Sequence, residues 1–200
     1  MMTDTLGARR GYHHGNLREA LLDAARELVA ERGAAGLTLV EAAKRVGVTG
    51  AAPYRHFADR AALMSELVRR GFTLFNTRLA QAWDEGEPDP ITAFRRVGAA
   101  YLAFARAEPG LYAAMFASGA TPPPEAGVAL ESLRTAAGAV LAQLGAPPEA
   151  AHALAPQIWA LSHGAAMLAL AGRINAADPA ALIDAGCAAL IRGTLMSPKS

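Results

Sequence analysis

Cysteine and β-branched residues are scarce in this chain of 200 residues. The single cysteine excludes an intrachain disulfide framework and a zinc site built from several thiolates of one chain. Valine and isoleucine together number 13, whereas alanine alone numbers 49, and this balance disfavours a β-sandwich or a parallel-sheet enzyme. Charged residues make up 18% and hydrophobic residues 52%, so extensive burial is expected, including burial against a second copy. We therefore predict an all-α fold.

Targeting and membrane signals are weak. The first residues, MMTDTLGARRGYHHGN, contain no apolar run, so we expect no secretory signal and a cytoplasmic location. Residues 150–172 carry no formal charge and are long enough to span a bilayer. This stretch nevertheless contains proline, glutamine, serine and two histidines among many alanines, which favours a buried helix over a membrane span.

Catalytic motifs are also missing. The sequence contains no Walker loop, no GxSxG, no HExxH and no glycine-rich turn after a strand. The acidic residues are mostly isolated on charged helix faces. We therefore expect no enzyme activity, no cofactor and no metal site. A helical scaffold that uses its helices only for packing remains an alternative.

The charge is distributed unevenly. Residues 1–78 contain 12 Lys or Arg against 8 Asp or Glu, whereas residues 79–200 contain 7 against 10. Such an asymmetry hints at an N-terminal part that faces a polyanion, although solvated charges could produce the same difference by chance.

Helix signals divide the N-terminal part. The first helix follows Asn16, a predicted N-cap, and ends at Gly33. A second begins at the capping box Thr38-Leu-Val-Glu41 and runs to Val46, before Gly47.

Two further helices are expected before the middle of the chain. Thr49 or Gly50 caps a very short third helix through Phe57, in which Pro53 is tolerable because first-turn amides lack partners. Asp59 caps a fourth helix to about Trp83, long enough to connect two domains.

The polar segment DEGEPDP at 84–90 predicts a domain junction. Beyond it, helices are expected at about 91–107, 110–117, 125–144, 148–171 and 178–194. We divide the chain into an N-terminal arm and helix-turn-helix domain (1–60), a connecting helix (59–83) and a C-terminal helical regulatory and dimerisation domain (84–200).

Residues 38–57 have the spacing of a helix-turn-helix unit, which presents its second helix to a major groove. Small residues after the turn allow close approach to base edges, the donors that follow can reach phosphates, and the amides that begin the Thr38 helix can bind another phosphate. The predicted contacts are Thr38, Thr49, Gly50, Ala51, Ala52, Tyr54, Arg55 and His56. The alternative is a helix corner in an ordinary helical domain, with Tyr54 and Phe57 as packing aromatics.

Residues 37–63, LTLVEAAKRVGVTGAAPYRHFADRAAL, resemble the DNA-binding module of tetracycline-repressor-type (TetR) transcriptional regulators. The matching positions are Ala43, Gly47, Val48, Tyr54, His56, Phe57 and Leu63. Residues 11–18, GYHHGNLR, resemble one branch of this family. Residues 159–164, WALSHG, resemble the Trp–His–Gly signature of one class of its C-terminal regulatory domains.

This resemblance implies a DNA-binding transcriptional regulator, expected to be a ligand-responsive repressor. A homodimer would bind a palindromic double-stranded DNA operator and be released by a small, mostly apolar molecule. Lys44 and Arg60 complete the predicted DNA contacts. Arg60 stands where the family often has lysine, and arginine can also bind phosphate. Ala61 replaces a common acid, and Pro53 replaces a common leucine, so the recognition helix is expected to start differently.

The N-terminal arm carries two further candidates. Arg9 and Arg10 could enter a minor groove, or they could belong to a solvated tail. Adjacent His13 and His14 form a poor metal site, because neighbouring side chains diverge on most backbones.

An aromatic and methionine-rich set in the C-terminal part suggests a ligand cavity with few polar groups. Trp159 and His163 lie at i and i+4, with Met167 one turn further. The predicted ligand residues are Tyr101, Phe104, Met115, Phe116, Trp159, His163 and Met167, and Leu111 is expected in the same interior. A fully packed core is the alternative. Cys187 is interpreted as a buried small apolar residue rather than a redox sensor.

The last two helices are too apolar to leave one face in water, which predicts a symmetric dimer. Small and apolar residues would meet across the two-fold axis: Ala160, Gly164, Ala165 and Leu168 against Ala181, Leu182, Ala185, Ala189 and Leu190.

Overall fold

A computed structural model describes residues 16–117, 122–174 and 179–196. Within these ranges the chain is helical and contains no strand, so the predicted all-α fold is confirmed. The α-helices are α1 (Leu17–Arg32), α2 (Leu39–Val46), α3 (Arg60–Trp83), α4 (Pro90–Ala107), α5 (Pro109–Met115), α6 (Pro124–Gln143), α7 (Ala151–Leu170) and α8 (Pro179–Met196). Arg9, Arg10, His13 and His14 lie outside the described residues.

The predicted N-caps begin the first three α-helices. The Asn16 side chain accepts from the Glu19 amide at 3.3 Å, Thr38 Oγ1 from the Glu41 amide at 3.0 Å, and Asp59 Oδ1 from the Ala62 amide at 2.8 Å. Each bond satisfies an amide that the helix itself leaves free. The Glu41 carboxylate accepts from Arg32 at 3.3 Å.

The predicted third helix through Phe57 is wrong in type and length. Residues Ala52–Arg55 form a single 3₁₀ turn instead. In an α-helix capped by Thr49, the first intrahelical donor would be the amide of residue 53, and Pro53 has none. The turn therefore tightens to i→i+3 bonds, such as Ala52 N–H to the Thr49 carbonyl at 3.0 Å and His56 N–H to the Pro53 carbonyl at 2.9 Å.

A continuous hydrophobic core links the two parts of the chain. Near the N-terminus it contains Leu28, Leu37 and Leu63, each fully buried, whereas Phe75 and Phe104 continue it toward the C-terminal helices. The helix α3 has residues in both regions and extends over about 36 Å at 1.5 Å per residue. It can therefore transmit a displacement from one part to the other.

The helices α7 and α8 pack closely on each other. A Cβ atom at Gly186 would lie only 2.5 Å from Leu161 Cδ2, so a larger residue at this position would require the Leu161 side chain to move. Segments Pro148–Leu170 and Pro179–Met196 are long and apolar enough to cross a membrane by length and composition, a test that core helices of soluble proteins also pass.

Candidate nucleic-acid interface and ligand cavity

The segment after Gly47 exposes most of its residues. Thr49, Gly50, Ala51, Tyr54, Arg55 and His56 are exposed, whereas Ala52 is half-buried. Pro53 and Phe57 are buried and anchor the segment to the core. Tyr54 is 56% exposed, which is high for an aromatic residue. The 3₁₀ turn therefore holds predicted base and phosphate contacts at the surface despite its short length.

Two cations of this surface have no acidic partner. Lys44 and Arg55 are exposed, and neither forms an ion pair within the described residues. Their neighbour Arg45 instead binds Glu31 at 2.6 Å and Glu27 at 3.3 Å, which ties α2 to α1. Unpaired cations beside an exposed, small-residue turn are suited to phosphate binding.

Arg60 is engaged within the chain. Its Nε donates to the Leu37 carbonyl at 2.8 Å and its Nη2 to the Ala34 carbonyl at 2.6 Å. These bonds fasten the start of α3 to the segment that leads into α2. The structure thus gives Arg60 a positioning role that the resemblance did not imply. The Thr38 hydroxyl is also engaged within the chain, because it accepts the hydrogen bond from the Glu41 amide that caps α2.

A cavity of about 880 Å³ lies among α3, α4, α6, α7 and α8. Its apolar lining includes Leu79, Phe94, Tyr101, Leu133, Ile158, Trp159 and Cys187. Burial raises the pKa of the Cys187 thiol to about 11. The volume of the cavity is within the range of small-molecule binding sites.

The predicted ligand residues are divided between this cavity and the core. Tyr101 and Trp159 line the cavity. Phe104 and Met115 are buried in the core, and Phe116 packs against it. Met167 was predicted to be internal, but its side chain is 46% exposed. The last turn of α7 extends beyond the packed core, because Leu168 and Leu170 are exposed there as well.

His163 belongs to a hydrogen-bonded cluster beside the cavity. Its Nδ1 lies 2.8 Å from the Tyr112 hydroxyl, which in turn lies 3.2 Å from the Tyr101 hydroxyl. Burial lowers the pKa of His163 and raises that of Tyr112 to about 12. The neutral imidazole can therefore accept a hydrogen bond from the Tyr112 hydroxyl, and the network connects α4, α5 and α7.

The α4–α5 junction contacts both α1 and α3. The Glu108 carboxylate binds Arg26 of α1 at 2.9 Å and Arg78 of α3 at 3.3 Å. A Cβ atom at Gly110 would lie 2.0 Å from the Arg26 carbonyl oxygen, so α5 approaches the α1 backbone directly. This junction joins helices that line the cavity to the first helix of the chain.

Comparison with known families covers most of the described chain. Residues 21–67 match the family described as bacterial regulatory proteins, tetR family. Residues 94–190 match the tetracyclin repressor-like C-terminal domain. The chain belongs to the tetR family of bacterial regulatory proteins. The TetR resemblance of residues 37–63 is thereby confirmed, while the Trp–His–Gly subclass stays a prediction.

Individual TetR-like relatives agree with this assignment. Nucleoid occlusion factor SlmA of Vibrio cholerae is 37% identical over 97 residues, which are 48% of this chain and 49% of that protein. The match thus spans about half the length of this curated relative. A solved protein with unknown function from Rhodococcus sp. RHA1 is 31% identical, with a TM-score of 0.73 over 92% of this chain and 98% of that one. A transcriptional regulator from the same organism is 26% identical, with a TM-score of 0.71 over 90% and 98%.

Sequence reasoning missed the residues that meet through tertiary packing. Asp84, Glu85, Arg95 and Asp184 line the cavity, and Glu108 forms the junction. The polar segment at 84–90 was recognised only as a domain boundary. No local pattern places its acids beside α8, which is about 100 residues further along the chain.

Proposed function

We propose that this chain is a DNA-binding transcriptional regulator, acting as a ligand-responsive repressor in the cytoplasm. The observation that carries the proposal is the largely exposed segment 49–56, which contains the unpaired cation Arg55 and follows the unpaired Lys44. Residues 1–60 would form the DNA-binding domain, 59–83 the connecting helix and 84–200 the regulatory domain. The tetR family match supports regulation rather than enzyme activity.

Selection of bound fragments from random duplex DNA tests this proposal. A repressor dimer should recover a near-palindromic sequence whose half-sites are about 34–36 Å apart, or a multiple of that spacing. A helical scaffold or an enzyme should recover no common sequence. Such an outcome would contradict DNA recognition.

Two charge variants distinguish a direct contact with DNA from a general effect of the protein's net charge. Arg55→Ala should weaken binding to all duplexes, because phosphates carry no sequence information. Arg106→Ala is the matched control, since Arg106 is exposed on α4 and forms no ion pair within the described residues. Equal losses in both variants would argue against a role for the turn.

Gly50 offers a test of base reading. A Cβ atom at Gly50 would meet no atom within 4 Å, so Gly50→Ala should preserve the fold. In a major groove the added methyl group changes the surface that faces the bases, and the selected sequence should change. An unchanged sequence preference would place Gly50 outside the groove.

Dimerisation is proposed through α7 and α8. Leu168 and Leu182 are exposed by 46% and 45%, and Ala160 and Ala189 are exposed as well. Gly164 has no atom within 4 Å of a Cβ position, which leaves room for a partner helix. Ala165 was predicted at the dimer interface, but it is only 3% exposed and packs inside the protomer. It is therefore not part of the proposed interface. Light scattering at micromolar concentration should give a dimer, and a stable monomer would contradict the proposal.

The cavity is the proposed effector site. Its lining includes Trp83 at the end of α3, and Asp59 caps the other end of α3 beside the DNA-binding turn. A ligand that fits a displaced α3 better would reduce DNA affinity, and operator DNA would weaken ligand binding by the same factor. A thermal-shift screen followed by titration into the DNA complex tests this coupling. Ligands that bind without releasing DNA would contradict it.

A further inference from the structure

The charged groups of the cavity wall are mainly acidic. The acidic lining residues are Asp84, Glu85 and Asp184, all of them exposed, and Arg95 is the single basic residue among the described lining residues. Arg95 is already matched, because its Nε lies 3.1 Å from Asp184 Oδ1. Neither Asp84 nor Glu85 forms an ion pair within the described residues. The unneutralised charge of the wall is therefore negative.

The backbone that carries these two acids is held in place. Asp84 and Glu85 both have positive φ angles, 47° and 52°, which are rare for residues other than glycine. Arg96 donates to the carbonyls of Ala82, at 3.0 Å, and of Glu87, on either side of the turn. Its guanidinium thus fixes the turn rather than lining the cavity. A ligand that binds these acids therefore does not have to order their backbone.

Aromatic and buried polar groups complete the site. Trp83 and Trp159 both line the cavity, and indole faces attract cations. Ser162 also lines it, is only 6% exposed, and its hydroxyl has no hydrogen-bond partner among the described residues. A serine hydroxyl in the cavity wall can form a hydrogen bond with a ligand atom or a water molecule.

We propose that the ligand of this cavity is an amphipathic organic cation, with an apolar body and an ammonium group near Asp84 and Glu85. This inference rests on the proposed role of the cavity as the effector site. It narrows the expected small apolar molecule to one that carries positive charge. An organic anion would meet two unpaired carboxylates and no unpaired guanidinium among the described lining residues.

Three probes with closely related apolar bodies can test the charge preference. The para-butylbenzyl group is common to para-butylbenzyltrimethylammonium and para-butylbenzyl alcohol, and para-butylbenzoate supplies a closely related anion. Both tryptophans of the chain line the cavity, so intrinsic fluorescence reports occupancy without a label. The ammonium probe should bind about tenfold more tightly than the alcohol, from cation–π attraction and two partly screened charges. The benzoate should bind most weakly.

A double variant assigns the preference to the turn. Asp84→Asn with Glu85→Gln should reduce ammonium binding to the level of the alcohol and leave alcohol binding unchanged. Asparagine tolerates the left-handed backbone at residue 84, and thermal unfolding checks that the fold is retained. Glu87→Gln is the matched control, because it removes an exposed acid that lies two residues after Glu85 and does not line the cavity.

The outcomes separate this inference from the proposed function. Equal binding of the ammonium and the alcohol, no binding of any probe, or a preference that survives the double variant would overturn the inference. Release of labelled duplex DNA by the alcohol alone would overturn it while the repressor proposal stands. Failure of the chain to bind duplex DNA would overturn the repressor proposal, and the fluorescence titration would still decide the charge of the ligand.

Discussion

Gly110→Ala should separate α5 from α1 and destabilise the fold. The new Cβ would lie 2.0 Å from the Arg26 carbonyl oxygen and 2.9 Å from its carbon. Ordinary contacts between non-bonded heavy atoms begin near 3.5 Å, so the two backbones must move apart by about 1.5 Å. Neither atom is the flexible end of a side chain, and the displacement therefore disturbs the packing on both helices.

The magnitude follows from two opposing contributions. Overpacking of a filled interior costs about 1–3 kcal/mol, whereas alanine stabilises a helix by roughly 0.5–1 kcal/mol relative to glycine. The clash is with backbone, so the cost lies at the upper end of its range. We expect a net loss of about 2 kcal/mol in the free energy of unfolding.

Gly127→Ala is the matched control. Gly127 lies in α6, is exposed, and has no atom within 4 Å of a Cβ position. This variant should gain roughly 0.5–1 kcal/mol from helix propensity alone. The free energy of unfolding of both variants is measured by urea denaturation, with circular dichroism as the readout. Both measurements use the same protein concentration, because dimerisation contributes to stability. A Gly110→Ala protein as stable as the Gly127→Ala protein would refute the proposed close contact between α1 and α5.

Three further substitutions or modifications test other contacts. Arg69 and Arg70 bind the Glu66 carboxylate and lower its pKa to about 2. Glu66 therefore stabilises the folded state above its unfolded pKa of about 4.5, and this contribution is lost as the pH falls toward 2. Glu66→Gln should therefore lower the melting temperature at pH 7 and have little effect at pH 2, and an equal effect at both values would contradict this assignment. Native Cys187 should react with iodoacetamide at pH 8 roughly a hundredfold more slowly than in the urea-unfolded chain, because its raised pKa leaves little thiolate; equal rates would show that the thiol is accessible. Tyr54→Phe should weaken DNA binding without altering the melting temperature, since the ring is exposed, and unchanged affinity and salt dependence would exclude its hydroxyl as a phosphate ligand.

Local signals predicted the helix boundaries well. Asn16, Thr38 and Asp59 each cap the helix that follows, because capping depends on residues three positions apart. The type of the third helix does not follow from these signals, because it depends on which hydrogen bond Pro53 removes. Which bond is lost depends on the cap residue, and the sequence is compatible with either Thr49 or Gly50 in that position.

The site was harder to predict because its residues meet only in three dimensions. Tyr101 and Trp159 were found from composition and helical spacing, and both line the cavity. Met167 follows the same spacing on α7, yet it is exposed because no other described element covers that turn. Asp84 and Glu85 reach the wall through a left-handed turn, a conformation that favours glycine and that the acids themselves do not predict.

The salt dependence of DNA binding tests the central claim most directly. A labelled duplex that carries the selected sequence would be titrated with protein at several salt concentrations, with fluorescence anisotropy as the readout. Lys44 and Arg55 provide two unpaired cations per protomer and four per dimer, so log affinity against log salt should fall with a slope of about −3.6 or steeper. A slope near zero, or equal affinity for a scrambled duplex, would contradict sequence-specific DNA binding by this chain.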